Sequence, residues 1–202
     1  MTNTSISIKS FTGAALNRYI PDLAALRMKV FREYPYLYEG SLEYEQEYLQ
    51  TYVRAPNAIV VIAFDGARVI GASTGMPMEH ETENVKLPWS ERGYKPQEIF
   101  YFGESVLLPE YRGHGIGVAF FHHREQWASS NGFRILTFCA VIRPENHPLK
   151  PHTYNPLDPF WNNRGYTKTK DMVCLMKWQD VDQAVETEKE LQFWVKKLPK
   201  QT

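Results

Sequence analysis

The spacing of apolar and polar positions changes several times along the chain, and each change predicts an element. "TSISIKSF" (4–11) alternates with period two and predicts a modest first strand. "AALNRYIPDLAALRMKVFREY" (14–34) spaces its apolar residues at three and four, with Pro21 placed for a helix start. "SLEYEQEYLQTYV" (41–53) predicts a second helix capped by Ser41. Two β-rich runs flank "DG" in "NAIVVIAFDGARVIGASTGMPM" (57–78), a hairpin signal. Positions 79–97 are polar and irregular, with room for at most a short helix. "EIFYFGESVLL" (98–108) predicts one strand, and "GVAFFHHREQWASSNG" (117–132) a helix stopped at Gly132. "FRILTFCAVI" (133–142) is nearly all apolar, as a strand buried on both faces would be. A proline-rich loop with a short helix (147–165) leads to a closing strand, "YTKTKDMVCLMKW" (166–178). The tail from Asp180, with "VETEKELQFWVKKL" (185–198), reads as a helix or an extended arm, and Phe193 and Trp194 suit it for docking on this chain or on a second copy, a possible homodimer.

At 202 residues the chain supports one domain with a sizeable core. Lys plus Arg and Asp plus Glu both number 23, a balance that argues against nucleic acid or an anionic membrane as the main partner. No apolar run approaches the roughly 18 residues of a membrane helix, and the opening "MTNTSISIKS" lacks the order of a signal peptide, so the expected location is cytoplasmic. Cys139 and Cys174 are too few for a disulfide framework or a four-cysteine zinc site. His122 and His123 are neighbours on a predicted helix and diverge by about 100°. His147 and His152 flank prolines without an acid or cysteine at ligand spacing, so no metal is expected.

The chemistry gathers at "PEYRGHGIG" (109–117), where three glycines fall within five positions behind Arg112. Glycine costs about 1 kcal/mol relative to alanine in a regular element, so this cluster needs a purpose. A strand, a glycine-rich turn and a helix start together make an anion seat, because the first helix amides lack internal partners. The P-loop would need Lys-Ser/Thr after its last glycine, and Val118-Ala119 stands there. The dinucleotide fingerprint G-x-G-x-x-G fails at Val118 in one register and at Phe120 in the other. "RGHGIG" does match R/Q-x-x-G-x-G/A, and it resembles the pyrophosphate-binding motif of the GNAT superfamily of N-acetyltransferases. The element order from Thr4 to about Trp178 parallels that family's β-αα-βββ-α-β-α-β plan, and "FWNNRGY" (160–166) resembles its later phrase.

The resemblance implies an α/β (α+β) fold: a mixed, mostly antiparallel sheet of about seven strands flanked by helices, with its fourth and fifth strands splayed. It implies acetyl-CoA as cosubstrate, held by the amides of Arg112, Gly113, His114, Gly115, Ile116 and Gly117 and by backbone groups of Val106, Leu107 and Leu108. It implies direct transfer to a primary amine of a small molecule in a ternary complex. Glu104, an acid in an otherwise apolar strand, reads as general base or amine-binding acid, or else as a side chain facing solvent or paired with an arginine. "YPYLYEG" (34–40) reads either as packing or as an acceptor lip contributing Tyr36, Tyr38 and Glu39. Trp161 stands where family members often carry the tyrosine that protonates the leaving thiolate, and Tyr154 and Tyr166 do not match that position. Glu104 favours an enzyme, while Trp161 favours a coenzyme A-binding module without chemistry. Cys139 reads as a buried small hydrophobe ahead of a nucleophile.

Overall fold

The computed structural model describes residues 6–199. Strand β1 (Ile6–Phe11) leads through a 3-10 turn to helices α1 (Ile20–Phe31) and α2 (Leu42–Arg54). Pro21 occupies the first turn of α1, and the Ser41 hydroxyl accepts from the Tyr44 amide at 3.3 Å to cap α2. Strands β2 (Ile59–Asp65) and β3 (Arg68–Pro77) form the "DG" hairpin around Gly66-Ala67. The polar stretch that follows holds α3 (Glu83–Ser90), preceded by a short 3-10 turn at Met78–His80. The expected start of the first strand at Thr4 lies outside the described residues.

The single strand expected over 98–108 is two strands, β4 (Ile99–Tyr101) and β5 (Ser105–Leu107), divided at Phe102–Glu104. Helix α4 (Ile116–Ser130) follows and closes over Gly132 at φ +87°. Then come β6 (Ile135–Val141), the short α5 (Asp158–Asn162), β7 (Thr167–Gln179) and β8 (Glu186–Lys197). The sheet runs β1-β2-β3-β4-β6-β8-β7, with β5 attached to β3. All its pairs are antiparallel except β4 with β6, which is parallel. The α+β, mostly antiparallel architecture is therefore as expected.

The tail differs from the expectation. Its alternation, obscured in sequence by three glutamates and three lysines between Glu186 and Lys197, builds a strand inserted between β6 and β7. "YTKTKDMVCLMKW" consequently lies at the sheet edge and does not close it. Phe193 and Trp194 are buried within this chain, and Trp194 stacks on Phe138 at 6.3 Å with planes 4° apart. Trp194→Ala should accordingly cost about 3–5 kcal/mol, the range for emptying an aromatic core site, as read by urea unfolding; a peripheral arm would lose less than about 0.5 kcal/mol.

Candidate active site

Parallel pairing of β4 with β6 lasts three residues, from Ile99↔Ile135 to Tyr101↔Thr137. One further bond, from the Phe102 amide to the Thr137 carbonyl at 2.8 Å, closes that ladder. Beyond it β5 pairs only with β3, and β6 from Phe138 onward pairs only with β8. The sheet opens here into a gap.

The break is built by groups from both faces. The Glu104 carbonyl accepts from the Thr74 amide, and the Thr74 hydroxyl accepts from the Glu104 amide at 3.2 Å. The Gly103 amide also turns to the Thr74 carbonyl, so one residue of β3 serves two of the interrupted strand, as in a β-bulge. A Cβ at Gly103 would stand 2.0 Å from the Tyr52 hydroxyl, so only glycine fits. From the other face, buried Arg124 of α4 donates to the carbonyls of Thr74 and Glu104, each at 3.1 Å, and to Ser105 Oγ at 2.8 Å. Burial pushes the Arg124 pKa down to about 10, which leaves it charged at neutral pH.

At one end of the gap lies the loop Arg112–Gly117. Among the described residues no acceptor meets the amides of Gly113 through Gly117. Gly113 and Gly115 sit at φ +82° and +80°, with nothing within 4 Å of where a Cβ would stand. This is an open cradle of donors at the start of a 15-residue helix, and it fits a pyrophosphate. Arg112 departs from the expectation. Its amide bonds the Pro109 carbonyl, and its guanidinium bonds the Leu107 carbonyl and pairs with Glu33 at 2.9 Å. The strand residues differ as well. The Leu108 amide is spent on Ile70, and alternation turns Val106 toward Ala72. By the same alternation the backbone of Leu107, one of the three expected residues, and that of Ser105, which sequence reasoning missed, face the gap.

At the other end stands Glu104, buried, with Oε2 2.6 Å from Arg27 Nη1 of α1 and accepting from the Tyr48 hydroxyl at 3.1 Å. The paired reading of Glu104 is thus realised through Oε2, and no hydrogen bond reaches Oε1 among the described residues. Arg27 also pairs through Nε with Glu45, which is wholly buried on α2. Burial works against the Arg27 charge, and Glu104 and Glu45 overcome it, so the guanidinium pKa is raised. Both partners were missed in the sequence. The signal was present, since Arg27 continues the apolar stripe Ile20–Leu23–Ala24 at helical spacing, where a charge requires a buried partner.

A third carboxylate, Glu81, enters from the turn before α3. Its Oε2 accepts from the Thr82 amide at 3.3 Å, while Oε1 is buried without a partner among the described residues. Burial raises its pKa from 4.5 to about 7, with Glu104 adding to the shift.

The lip residues divide. The Tyr36 carbonyl is clamped by Arg143 and by the Trp178 indole, and the Tyr36 ring lies 6.1 Å from Trp178. Burial and then the Glu45 charge push the Tyr38 hydroxyl pKa up, and Arg27 opposes them. Glu39 is exposed and engaged by Arg32 at 2.5 Å. Trp161 packs between Phe138 and Trp194, and the Tyr166 hydroxyl is spent on Glu125 at 3.0 Å. Cys139 is buried against the Tyr101 hydroxyl at 2.9 Å, and neighbouring Cys174 together with burial pushes its thiol pKa up, an inert setting. Among the described residues no group of three or more His, Cys, Asp or Glu side chains is placed to hold a metal, and no helix is long and apolar enough to cross a membrane.

Two substitutions separate these parts. Gly115→Val, at φ +80°, should weaken coenzyme A binding at least tenfold by calorimetry. Arg27→Met, which strands two buried carboxylates, should destabilise the fold by about 3–5 kcal/mol in urea.

The acetyltransferase (GNAT) family model matches residues 23–151. No curated protein matches the chain. Among solved structures, an N-acetyltransferase from Staphylococcus aureus Mu50 is 12% identical, with 97% of this chain and 100% of that one covered at a TM-score of 0.62. An acetyltransferase from Streptococcus agalactiae is 15% identical over 96% and 98% at 0.60. A ribosomal-protein-alanine N-acetyltransferase from Brucella melitensis is 15% identical over 95% and 99% at 0.61. At such identities the likeness is one of fold.

Proposed function

Since the chain belongs to the acetyltransferase (GNAT) family, we propose that it transfers the acetyl group of acetyl-CoA directly to a primary amine of a small molecule. One observation carries the reading. The sheet opens between β5 and β6, with loop amides that meet no acceptor among the described residues at one end of the gap and the Glu104 carboxylate at the other. Gly113–Gly117 would seat the pyrophosphate, and the backbone of Ser105 and Leu107 would pair with the pantetheine arm. The thioester would then lie along the gap with its carbonyl carbon toward Glu104.

Glu104 acts in this reading as the amine-binding acid. Arg27 and Tyr48 fix its position through Oε2, so Oε1 remains to receive an ammonium N–H. Arg27 stands between Glu104 and Glu45, so the three together carry one net negative charge. Tyr36, Tyr38 and Tyr48 add aromatic faces, a setting for a cationic and partly apolar acceptor. The buried Cys139 thiol offers no acyl-enzyme route, which supports transfer within a ternary complex. The leaving thiolate is itself a weak base, and water suffices to protonate it where Trp161 cannot.

Trp161 also supports a second reading, a coenzyme A-binding module without transfer. Thermal shift with acetyl-CoA, coenzyme A and ATP, followed by an amine-library screen read by thiol release, separates the two. The expected result is stabilisation by both coenzyme A species, with thiol release in the presence of cationic amines and intersecting initial-rate lines. In that assay Glu104→Gln should raise the amine KM about tenfold, the effect of one charge-assisted hydrogen bond of about 1.4 kcal/mol. Tyr38→Ala should raise it less, and an acidic analogue should not be acetylated. Stabilisation without thiol release for any amine would select the binding module.

A further inference from the structure

We propose that Glu81, and not Glu104, is the general base that takes the proton from the acceptor ammonium; this rests on the acetyl-transfer reading above. The division follows from how the two carboxylates are held. Glu104 is held through Oε2 between the Arg27 guanidinium and the Tyr48 hydroxyl. Glu81 receives only the Thr82 amide on Oε2, and no arginine or lysine forms an ion pair with it among the described residues. Its Oε1 is buried and unpartnered, an arrangement costly for a carboxylate unless a proton or a ligand N–H completes it.

The position suits the task. Glu81 ends the turn that leaves β3, the strand whose Thr74 and Met76 lie beside Glu104 and Tyr101. The charged and titratable groups within electrostatic reach of it come from several elements. They are Arg27 of α1, Tyr48 and Tyr52 of α2, Lys86 of α3, Tyr101 of β4, Glu104 of the bulge and Cys139 of β6. Lys86 is itself occupied by Glu83 at 2.7 Å. Burial, opposed by the Thr82 amide and reinforced by Glu104, brings the Glu81 carboxyl to about 7, where a base serves best at neutral pH.

The step balances without another reactant. The ammonium, held by Glu104 Oε1, gives one proton to Glu81 Oε1, and the freed nitrogen lone pair attacks the thioester carbonyl. The N–C bond forms and the C–S bond breaks. A second proton from nitrogen reaches the thiolate through water, and Glu81 releases its proton to solvent.

The test uses the full chain with acetyl-CoA and the best amine from the screen, over pH 5.5–9.5 (roughly the span that covers a carboxyl near 7 and an amine). The parent should show a rising limb in kcat/KM with an apparent pKa of about 7. Glu81→Gln should remove that limb and lower kcat by roughly 10²–10⁴-fold at neutral pH, with a smaller loss at high pH where the amine is already neutral. Glu104→Gln should keep the limb and raise the amine KM. Unaltered coenzyme A affinity reports that each variant is folded. A readout free of activity is the carboxyl stretch in infrared difference spectra, where one band should titrate near 7 in the parent and vanish in Glu81→Gln. Linkage gives another. A carboxyl raised in the folded state loses stability as pH rises from 4.5 through 7, so the melting-temperature advantage of Glu81→Gln over the parent should grow across that window. A limb that persists in Glu81→Gln, or a melting difference flat with pH, overturns the assignment to Glu81. Absence of transfer to every amine by the parent overturns the reading beneath it.

Discussion

One buried guanidinium holds open the interruption on which the site depends. Where β4 gives way to β5, the carbonyls of Thr74 and Glu104 would lack full partners, and Arg124 supplies donors to both from α4. Its charge is tolerated because it also meets Ser105 Oγ and the Phe120 carbonyl and lies 4.2 Å over the Phe102 ring. With the bulge fixed, β5 leans to β3 while β6 leans to β8, and the gap between them follows from pairing alone. The helix that seats the anion thus also props the strand that carries the carboxylate.

The acceptor side follows a different economy. Arg27 stands between Glu45 and Glu104, so α1, α2 and the bulge share one ionic centre. A second one, Asp180 with Arg143 and Lys189, fastens the Tyr36 segment to the end of β7 through the Pro35 and Tyr36 carbonyls. These two centres set the lip relative to the floor of the cleft. Buried pairs of this kind add little net stability, and their value here is positional.

The order of elements was legible because most were amphipathic, capped or bounded by Gly and Pro, and the phosphate loop because its glycines have no structural excuse. The break at Phe102–Glu104 was not, since "FYFGESVLL" keeps its apolar run through the bulge and only Gly103 hints at it. The tail escaped for the opposite reason. Its surface glutamates and lysines mimic a helical charge pattern, and burial on one face settles it as a strand. Arg27, Arg124, Glu45 and Glu81 were hidden because a charge within a helix or turn looks solvated until its partner, far along the chain, is brought beside it. Glu39 shows the converse, a promising acid drawn off by Arg32, seven residues before it.

The place of β8 also dictates the order in which this molecule becomes competent. It is translated after both strands it separates, yet β6 and β7 have no ladder with each other and meet only through it. Until β8 threads between them, each exposes an unpaired edge, and the wall of the gap formed by Phe138–Val141 has no backing. The nascent chain can complete its hairpin and first helices early, but it cannot present a binding cleft. Ligand capture therefore reports a chain in which β8 is seated, and one that still lacks it is left with sticky sheet margins of the sort chaperones shield.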